Sequence, residues 1–516
     1  MMQARRASCS GKGVVGVLIL GLVVLLAGTL AVAAGSGVTL TIVRGTDLWT
    51  GDPQNDTQAT SRSLLNNVFD PLVRIDWNDM GNPLPALAVA WEVLSPTSIR
   101  FHLRQGVQWH DGREFTAADV KFTFDRLLNK EKPTKVSPLV SSIIAGVTVE
   151  DDYTVVLQTF NAYAPIFSRL ATIYIIPEKT FLEMGETAFG QKPVGTGAYA
   201  VEEWLIGQYI RVVANESWWG WVDRDKRPDV VIRKSVPEEF TRYAMLKSGE
   251  ADIVDQVSPE RIPEISTSGT LRIEASASLR TFFVGMNTWR PPFDNVLVRQ
   301  AMNYAIDPQL IVDTVLSGQA SVHPGVCGVG SFGCCPDCEP YAYDPVKARE
   351  LLTQAGYPDG FKVKFWSPRG KYIKDLETSE AIVGQLEEVG IEVELYAPAW
   401  AEYWDNWLAG NMDIFYLSAG ISFPDCDDLI GYHLDSARRG IYYNSPISDA
   451  LIREEQQALD PGERASIFAE LSQFFVEEAP WVFLWDQNLI YGVSSRILEF
   501  HALPVEEINY WELVVQ

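Results

Sequence analysis

Four cysteines crowd one stretch of the chain: Cys327, Cys334, Cys335 and Cys338, with Cys426 standing alone downstream and Cys9 near the N-terminus. Thiolates this close in sequence suit zinc or an iron–sulfur cluster. In an oxidising compartment the same side chains close disulfides that pin a loop, and this second reading is preferred. Cys327, Cys334, Cys335, Cys338 and Cys426 are all disulfide candidates, and their odd number leaves at least one unpaired. His110-Asp111-Gly112 sets an imidazole beside a carboxylate, the pairing of acid–base catalysis. The chain has only five histidines and no recognisable nucleophile motif. A hydrolase would therefore need a serine, a histidine and an aspartate that converge in space only. Gly328-Val-Gly-Ser-Phe-Gly333 has the letters of a dinucleotide-binding loop. That reading needs a strand before and a helix after, and cysteines flank it instead. No catalytic residue, metal or cofactor is expected.

Aromatic side chains are abundant, with 16 Trp, 19 Tyr and 23 Phe. Trp400, Tyr403, Trp404 and Trp407 recur at i, i+3, i+4, i+7 and so share one helical face. Packing is the preferred reading of that stripe; the alternative is a stacking wall for sugars or aromatic groups.

The elements that must position these residues alternate between helix and strand. Residues 38–43 alternate apolar Val38, Leu40 and Ile42 with polar neighbours, as a strand does. Residues 98–104 alternate in the same way. Thr116-Ala-Ala-Asp119 predicts a capping box that opens a helix burying Val120, Phe124, Leu127 and Leu128. Further helices are predicted after Asp294, after Asp344-Pro345, over about 378–389 and after Asp460-Pro461. The third runs through Gly390 into an alternating strand over 391–395. Together these point to an α/β architecture.

Arg5, Arg6 and Lys12 precede an uncharged run from Gly13 to Ala34, with Ala31-Val-Ala33 fitting a signal-peptidase site. Residues 1–34 are expected to be a signal peptide, with an uncleaved anchor as the alternative. No cysteine follows the run, so a lipoprotein anchor is not supported. The formal net charge of −25 repels nucleic acid and anionic lipid.

Five blocks, in this order, resemble the family 5 extracellular solute-binding proteins of ATP-driven importers, the dipeptide, oligopeptide and nickel binding group. They are Trp91-Glu-Val with Phe101-His-Leu-Arg104 through Asp111-Gly112 and Phe115 to Phe124; Pro193-Val-Gly-Thr-Gly-Ala-Tyr199 with Trp204 and Trp219-Gly220; Leu246-Lys-Ser-Gly-Glu-Ala-Asp-Ile253; Asn287 and Pro292-Phe293 through Val298 to Asp307; and Tyr343-Asp-Pro-Val-Lys-Ala348 with Ala355-Gly356-Tyr357. The resemblance implies an α/β, bilobal, periplasmic-binding-protein-like clamshell of type II, cluster C-like, with an extra subdomain and a hinge crossed twice. Lobe I is expected over 38–282 and 490–516, with the extra subdomain at about 76–190, and lobe II over 283–489. The crossings are expected near 281–287 and 483–491. In such proteins His110-Asp-Gly112 is a fold marker away from the cleft.

The resemblance also implies a ligand site. Trp49 matches a cleft-facing position. The segment Trp366-Ser-Pro-Arg369-Gly-Lys-Tyr372 resembles one that projects into the cleft, and Arg369 falls where dipeptide-binding relatives hold the ligand carboxylate. Ser422 falls where they hold the amine with an aspartate, beside Phe423; either Asp425 substitutes after a loop shift or the ligand has no free α-amine at that point, a departure that puts simple dipeptides in doubt. Trp49, Trp366, Arg369, Tyr372, Ser422, Phe423 and Asp425 are thus the candidate ligand-binding residues. The implied function is the substrate-binding component of an ABC importer, a periplasmic or extracytoplasmic monomer that passes a peptide or peptide-like solute to a membrane permease. An oligosaccharide or organic acid is the second choice of ligand and a metal chelate the third. The reading from another class is an exported hydrolase or a redox protein using the cysteine loop.

Overall fold

A computed structural model describes residues 37–516 except 78, 80, 81, 324, 329, 336, 337, 340 and 437–440, together with the side chain of residue 60. The signal peptide expected over 1–34 lies outside the described residues. Among the described residues, no helix is long and apolar enough to cross a membrane.

Two sheets organise the chain. The first has seven strands in the order 271–276, 489–494, 253–254, 39–44, 230–235, 209–214 and 199–205. Its centre is parallel: Leu40 lies opposite Val231, and Ile42 opposite Ile253. The second has six strands in the order 320–322, 481–487, 280–286, 414–420, 362–366 and 392–396. Strand Arg280–Met286 sits between two antiparallel neighbours, with Phe283 opposite both Leu417 and Phe483. The chain passes from the first sheet to the second between Ser276 and Arg280, and back between Gln487 and Leu489.

Strand period sorts the core. Successive side chains point to opposite faces, so a strand covered on both sides is apolar throughout. Trp481–Gln487 is buried at every position. Its Val482 and Leu484 join Phe282, Val284, Phe365 and Ile414 on one face. Its Trp481 and Phe483 join Phe283, Phe415 and Leu417 on the other, where the Phe283 and Trp481 rings stack at 3.8 Å. The seven-stranded sheet does the same, with Ile42 and Val493 in one cluster and Val43 and Ile490 in another.

A four-stranded antiparallel sheet, 88–95, 98–103, 154–159 and 144–151, carries its own core. Helix Ala117–Leu127 packs on it through Val120 and Phe124, and its capping box forms as the sequence predicts. His110 ties this unit to the first sheet's flank. Its Nδ1 accepts from the Gly195 N–H at 3.2 Å, so Nε2 carries the proton and donates to the Gly197 carbonyl at 2.9 Å. Both ring nitrogens are thereby used in structure. Gly195 is needed there, because a Cβ would lie 1.8 Å from the Val68 carbonyl oxygen.

The caps at Asp344 and Asp460 form as expected, with Asp344 accepting from the N–H of Val346 and Lys347. The helix expected after Asp294 is capped instead by Asn295, whose side chain accepts from the Leu297 N–H. The helix expected over 378–389 starts at Asp375.

The cysteine loop closes two disulfides, Cys327–Cys426 and Cys335–Cys338, and leaves Cys334 as a thiol. Gly328 has no room for a side chain, since a Cβ would meet the Asp486 carboxylate at 2.0 Å, so this glycine serves close packing. Among the described residues, no group of three or more His, Cys, Asp or Glu side chains is arranged to hold a metal ion. The chain secreted without residues 1–34 is expected to show one thiol by Ellman titration and five after reduction in denaturant. Four or more reactive thiols in the oxidised protein, or stoichiometric bound zinc, would contradict this pairing.

Candidate functional site

A cavity of about 570 Å³ lies where the two sheets face one another. The first sheet contributes Arg44 at the end of its strand, Thr46 and Trp49 beyond it, Asp255 after strand Ile253–Val254, and Tyr491. The C-terminal segment adds Glu506. The second sheet contributes Arg280, Phe282 and 417–420, with Lys371 and Tyr372 from the loop after strand Lys362–Trp366. Helices add Trp400, Trp404, Asp428 and Leu429. The loops at the carboxyl ends of strands 39–44, 253–254 and 362–366 thus converge on one space, as ligand sites of open α/β sheets do.

The charges in this space are arranged in pairs. Arg44 is buried; its Nε donates to Asp255 at 2.8 Å and its Nη1 to the Glu506 backbone carbonyl at 2.8 Å. Burial opposes the guanidinium charge, but Asp255, Tyr491 and Glu506 outweigh it and raise the Arg44 pKa. Arg280 reaches Glu506 Oε1 at 2.6 Å and donates to Ser418 Oγ at 2.9 Å. Burial would raise the Glu506 pKa, yet Arg280, Arg44 and Lys371 together hold it below the ordinary value. Glu506 is therefore an anion facing three cations.

The loop around Lys371 is shaped by Asp375, which accepts the backbone N–H of Lys371 at 2.7 Å and of Tyr372 at 3.1 Å. Gly370 and Lys374 flank this turn with φ of 69° and 59°. Tyr372 packs edge-on to Phe282 at 5.2 Å and to Trp400 at 6.3 Å. The Lys371 ammonium lies 4.8 Å from the centre of the Trp400 ring.

Of the seven candidate residues, three line the cavity: Trp49, Tyr372 and Ser422. Trp49 is 61% exposed, with the Lys135 ammonium 4.4 Å from its ring centre. The Ser422 backbone N–H donates to Asp428 Oδ2 at 2.6 Å. The structure departs from expectation at the other four. Arg369 is exposed, its N–H donating to the Pro398 carbonyl, and the turn brings Lys371 to the cavity two residues later. Trp366 is buried in the core, edge-on to Tyr396 at 4.8 Å. Phe423 is fully buried beneath the Arg169 guanidinium at 4.6 Å. Asp425 caps helix Cys426–His433 and is gripped by Arg464 at 2.6 and 2.8 Å. A carboxylate spent on a buried arginine is not available to a ligand.

The aromatic stripe divides. Tyr403 and Trp407 are core, the Tyr403 hydroxyl donating to the Tyr416 carbonyl at 2.7 Å. Trp400 and Trp404 reach the cavity and stack at 5.4 Å, so part of the stripe that reads as packing is wall. Sequence reasoning missed Arg44, Asp255, Arg280, Lys371 and Glu506. The available signal was position: Arg44 and Asp255 both follow apolar strands at their carboxyl ends.

Arg464 also bonds Glu455 at 2.8 Å. This buried triad anchors the helix that carries Asp428 and Leu429. Arg464→Met should cost about 3–5 kcal/mol of unfolding free energy in urea, because two buried carboxylates lose their cation. A loss under about 1 kcal/mol would show that the helix is held otherwise.

Comparison with known proteins bears on this geometry. Residues 82–440 match the family described as bacterial extracellular solute-binding proteins, family 5. The glutathione-binding protein GsiB of Salmonella typhi is 29% identical over 477 residues, covering 89% of this chain and 91% of its own. The periplasmic binding protein DppA of Helicobacter pylori, solved with the peptide STSA, superposes with a TM-score of 0.83 at 24% identity, over 92% of this chain and 98% of its own. The binding protein AgaA of A. tumefaciens R10, solved with agropinic acid, gives 0.81 at 25% identity, over 93% and 99%. The fold is thus the bilobal clamshell of the periplasmic binding proteins.

Proposed function

The chain belongs to the bacterial extracellular solute-binding proteins of family 5, and from that membership we propose that it captures a peptide or peptide-like small solute between two lobes and passes it to the permease of an ABC importer. Taking the lobe boundaries at the links between the sheets, in place of 282/283 and 489/490, lobe I is 38–276 with 489–516, lobe II is 280–487, and the extra subdomain falls at about 76–190. The protein acts outside the cytoplasm after export on its N-terminal segment, as a monomer and without turning its ligand over.

The observation that carries this reading is the cavity itself. Its walls come from both sheets, and among the described residues the chain crosses between the sheets in short links at 276–280 and 487–489. Two lobes joined by short links move as hinged bodies, and a ligand that touches both favours closure. Contacts already bridge the two sides. Lys374 pairs with Glu260 at 2.6 Å, Arg169 with Asp428 at 2.9 Å, and the Tyr163 hydroxyl donates to Asp427. At about 570 Å³ the cavity is in the range of small-molecule sites. Relatives solved with a tetrapeptide and with an organic acid support a small polar ligand.

Thermal-shift screening over short peptides, organic acids and sugars tests this. A ligand at 100 times its Kd stabilises the folded state by about 2.7 kcal/mol, and mass spectrometry should recover it unaltered after prolonged incubation. Catalytic breakdown of the stabilising compound would exclude a purely capturing role. Trp404→Ala should weaken binding of an aromatic-bearing hit without lowering Tm of the unliganded protein by more than a few degrees, checked by calorimetry.

A further inference from the structure

The pairing of charges inside the cavity says more about the ligand than its volume does. Among the described residues, every carboxylate in the wall already has a cation. Asp255 holds Arg44 at 2.8 Å, Glu506 holds Arg280 at 2.6 Å, and Asp428 holds Arg169 at 2.9 Å. Among the described residues, every arginine in the wall also has a carboxylate, Arg62 reaching Glu507 at 3.6 Å. Among the described residues, the lysines and arginines of the wall that form no ion pair are Lys371 and Lys135, and each sits over an indole, Trp400 and Trp49. Burial pushes the Lys371 ammonium below its ordinary value, and Glu506, the carboxylate that offsets this, is already bound to Arg280.

Resting on the capture role above, we propose that the cavity selects a solute with a carboxylate and no free ammonium group, an N-blocked peptide or another organic acid, and that Lys371 receives that carboxylate. A half-buried ammonium that forms no ion pair and shares its nearest carboxylate with Arg280 gains most from an incoming anion, since its own desolvation has already been incurred in the folded chain. A ligand ammonium finds the reverse. It would have to break Asp255, Glu506 or Asp428 from a partner, leaving a buried arginine uncompensated. The indole faces of Trp400 and Trp49 offer no substitute, because each already carries a lysine of like charge. Ser422 contributes a hydroxyl, which carries no charge to neutralise an ammonium.

Isothermal titration of the purified chain tests the proposal with five probes: Ala-Phe, N-acetyl-Ala-Phe, N-acetyl-Ala-Phe-amide, succinate and lactose. N-acetyl-Ala-Phe is expected to bind about tenfold or more tighter than either Ala-Phe or the amide. Binding of succinate alone would place the recognition in the acid group rather than the peptide. Lys371→Met should bring the acetylated acid down to the level of the amide and leave the amide unchanged, and Lys371→Arg should restore the difference. Tighter binding of Ala-Phe, tightest binding of lactose, or an unchanged acid affinity in Lys371→Met overturns this inference while the capture role stands. Silence from all five probes, together with a silent solute screen, counts against capture and this inference alike.

Discussion

A line of charge, buried at Asp255 and Arg44 and half-buried at Glu506 and Arg280, runs between the two sheets: Asp255 to Arg44, Arg44 to the backbone at Glu506, and the Glu506 carboxylate to Arg280. Burying any one of these ions alone would cost several kcal/mol. The cost is offset only when each ion meets its partner, and the partners come from four places, the 39–44 strand, the segment after 253–254, the start of the 280–286 strand and the C-terminal tail. Three stretches of the first sheet's side and one of the second's are thereby fixed around one space. The same pairing determines what is left over. With the arginines and carboxylates engaged, the residual character of the wall is aromatic and, at Lys371 and Lys135, positive. The chain as a whole carries −25, so a cationic interior is a local construction, opposite in sign to the protein's overall charge.

The second organising feature is the way helix Cys426–His433 is held. The Cys327–Cys426 disulfide fixes its first turn, Asp425 caps it, and Arg464 clamps that cap. Its next residues, Asp427 and Asp428, meet Tyr163 and Arg169 from the flank of the four-stranded unit. This helix therefore connects the cysteine loop, the cavity wall and the extra subdomain. The Cys327–Cys426 disulfide thereby ties the cysteine loop to this helix.

How much of this was readable in the sequence follows from the range of the interactions. Local signals were legible: the capping box at Thr116–Asp119, the Asp-Pro starts at 344 and 460, and the alternation in 39–44 and 98–103 all depend on residues within a few positions of one another. The first crossing was less legible: strand Arg280–Met286 occupies most of the stretch 281–287 where the family blocks put it, and the link lies just before that strand, at 276–280. What failed were readings that required a loop to be followed residue by residue. Counting placed Arg369 at the cleft, but Gly370 and Lys374 in left-handed conformations, with Asp375 gathering two backbone N–H groups, turn the chain so that Lys371 arrives there. Asp425, expected as a substitute for the amine-binding aspartate of relatives, is held by Arg464, which lies 39 residues away with nothing local to announce the pairing. Glu506 lies in a tail without periodic pattern, and only the folded chain shows that it faces Arg280.

The central claim is that solute is enclosed between the two sheets at the cavity bounded by Trp400, Trp404, Lys371 and Trp49. The most direct measurement is a crystal structure of the chain with whichever compound stabilises it. The account predicts ligand density in that cavity, with an acidic oxygen within hydrogen-bond distance of Lys371 Nζ and residues of both sheets in contact. Density at any other surface, or within the cavity but touching one sheet only, would contradict it.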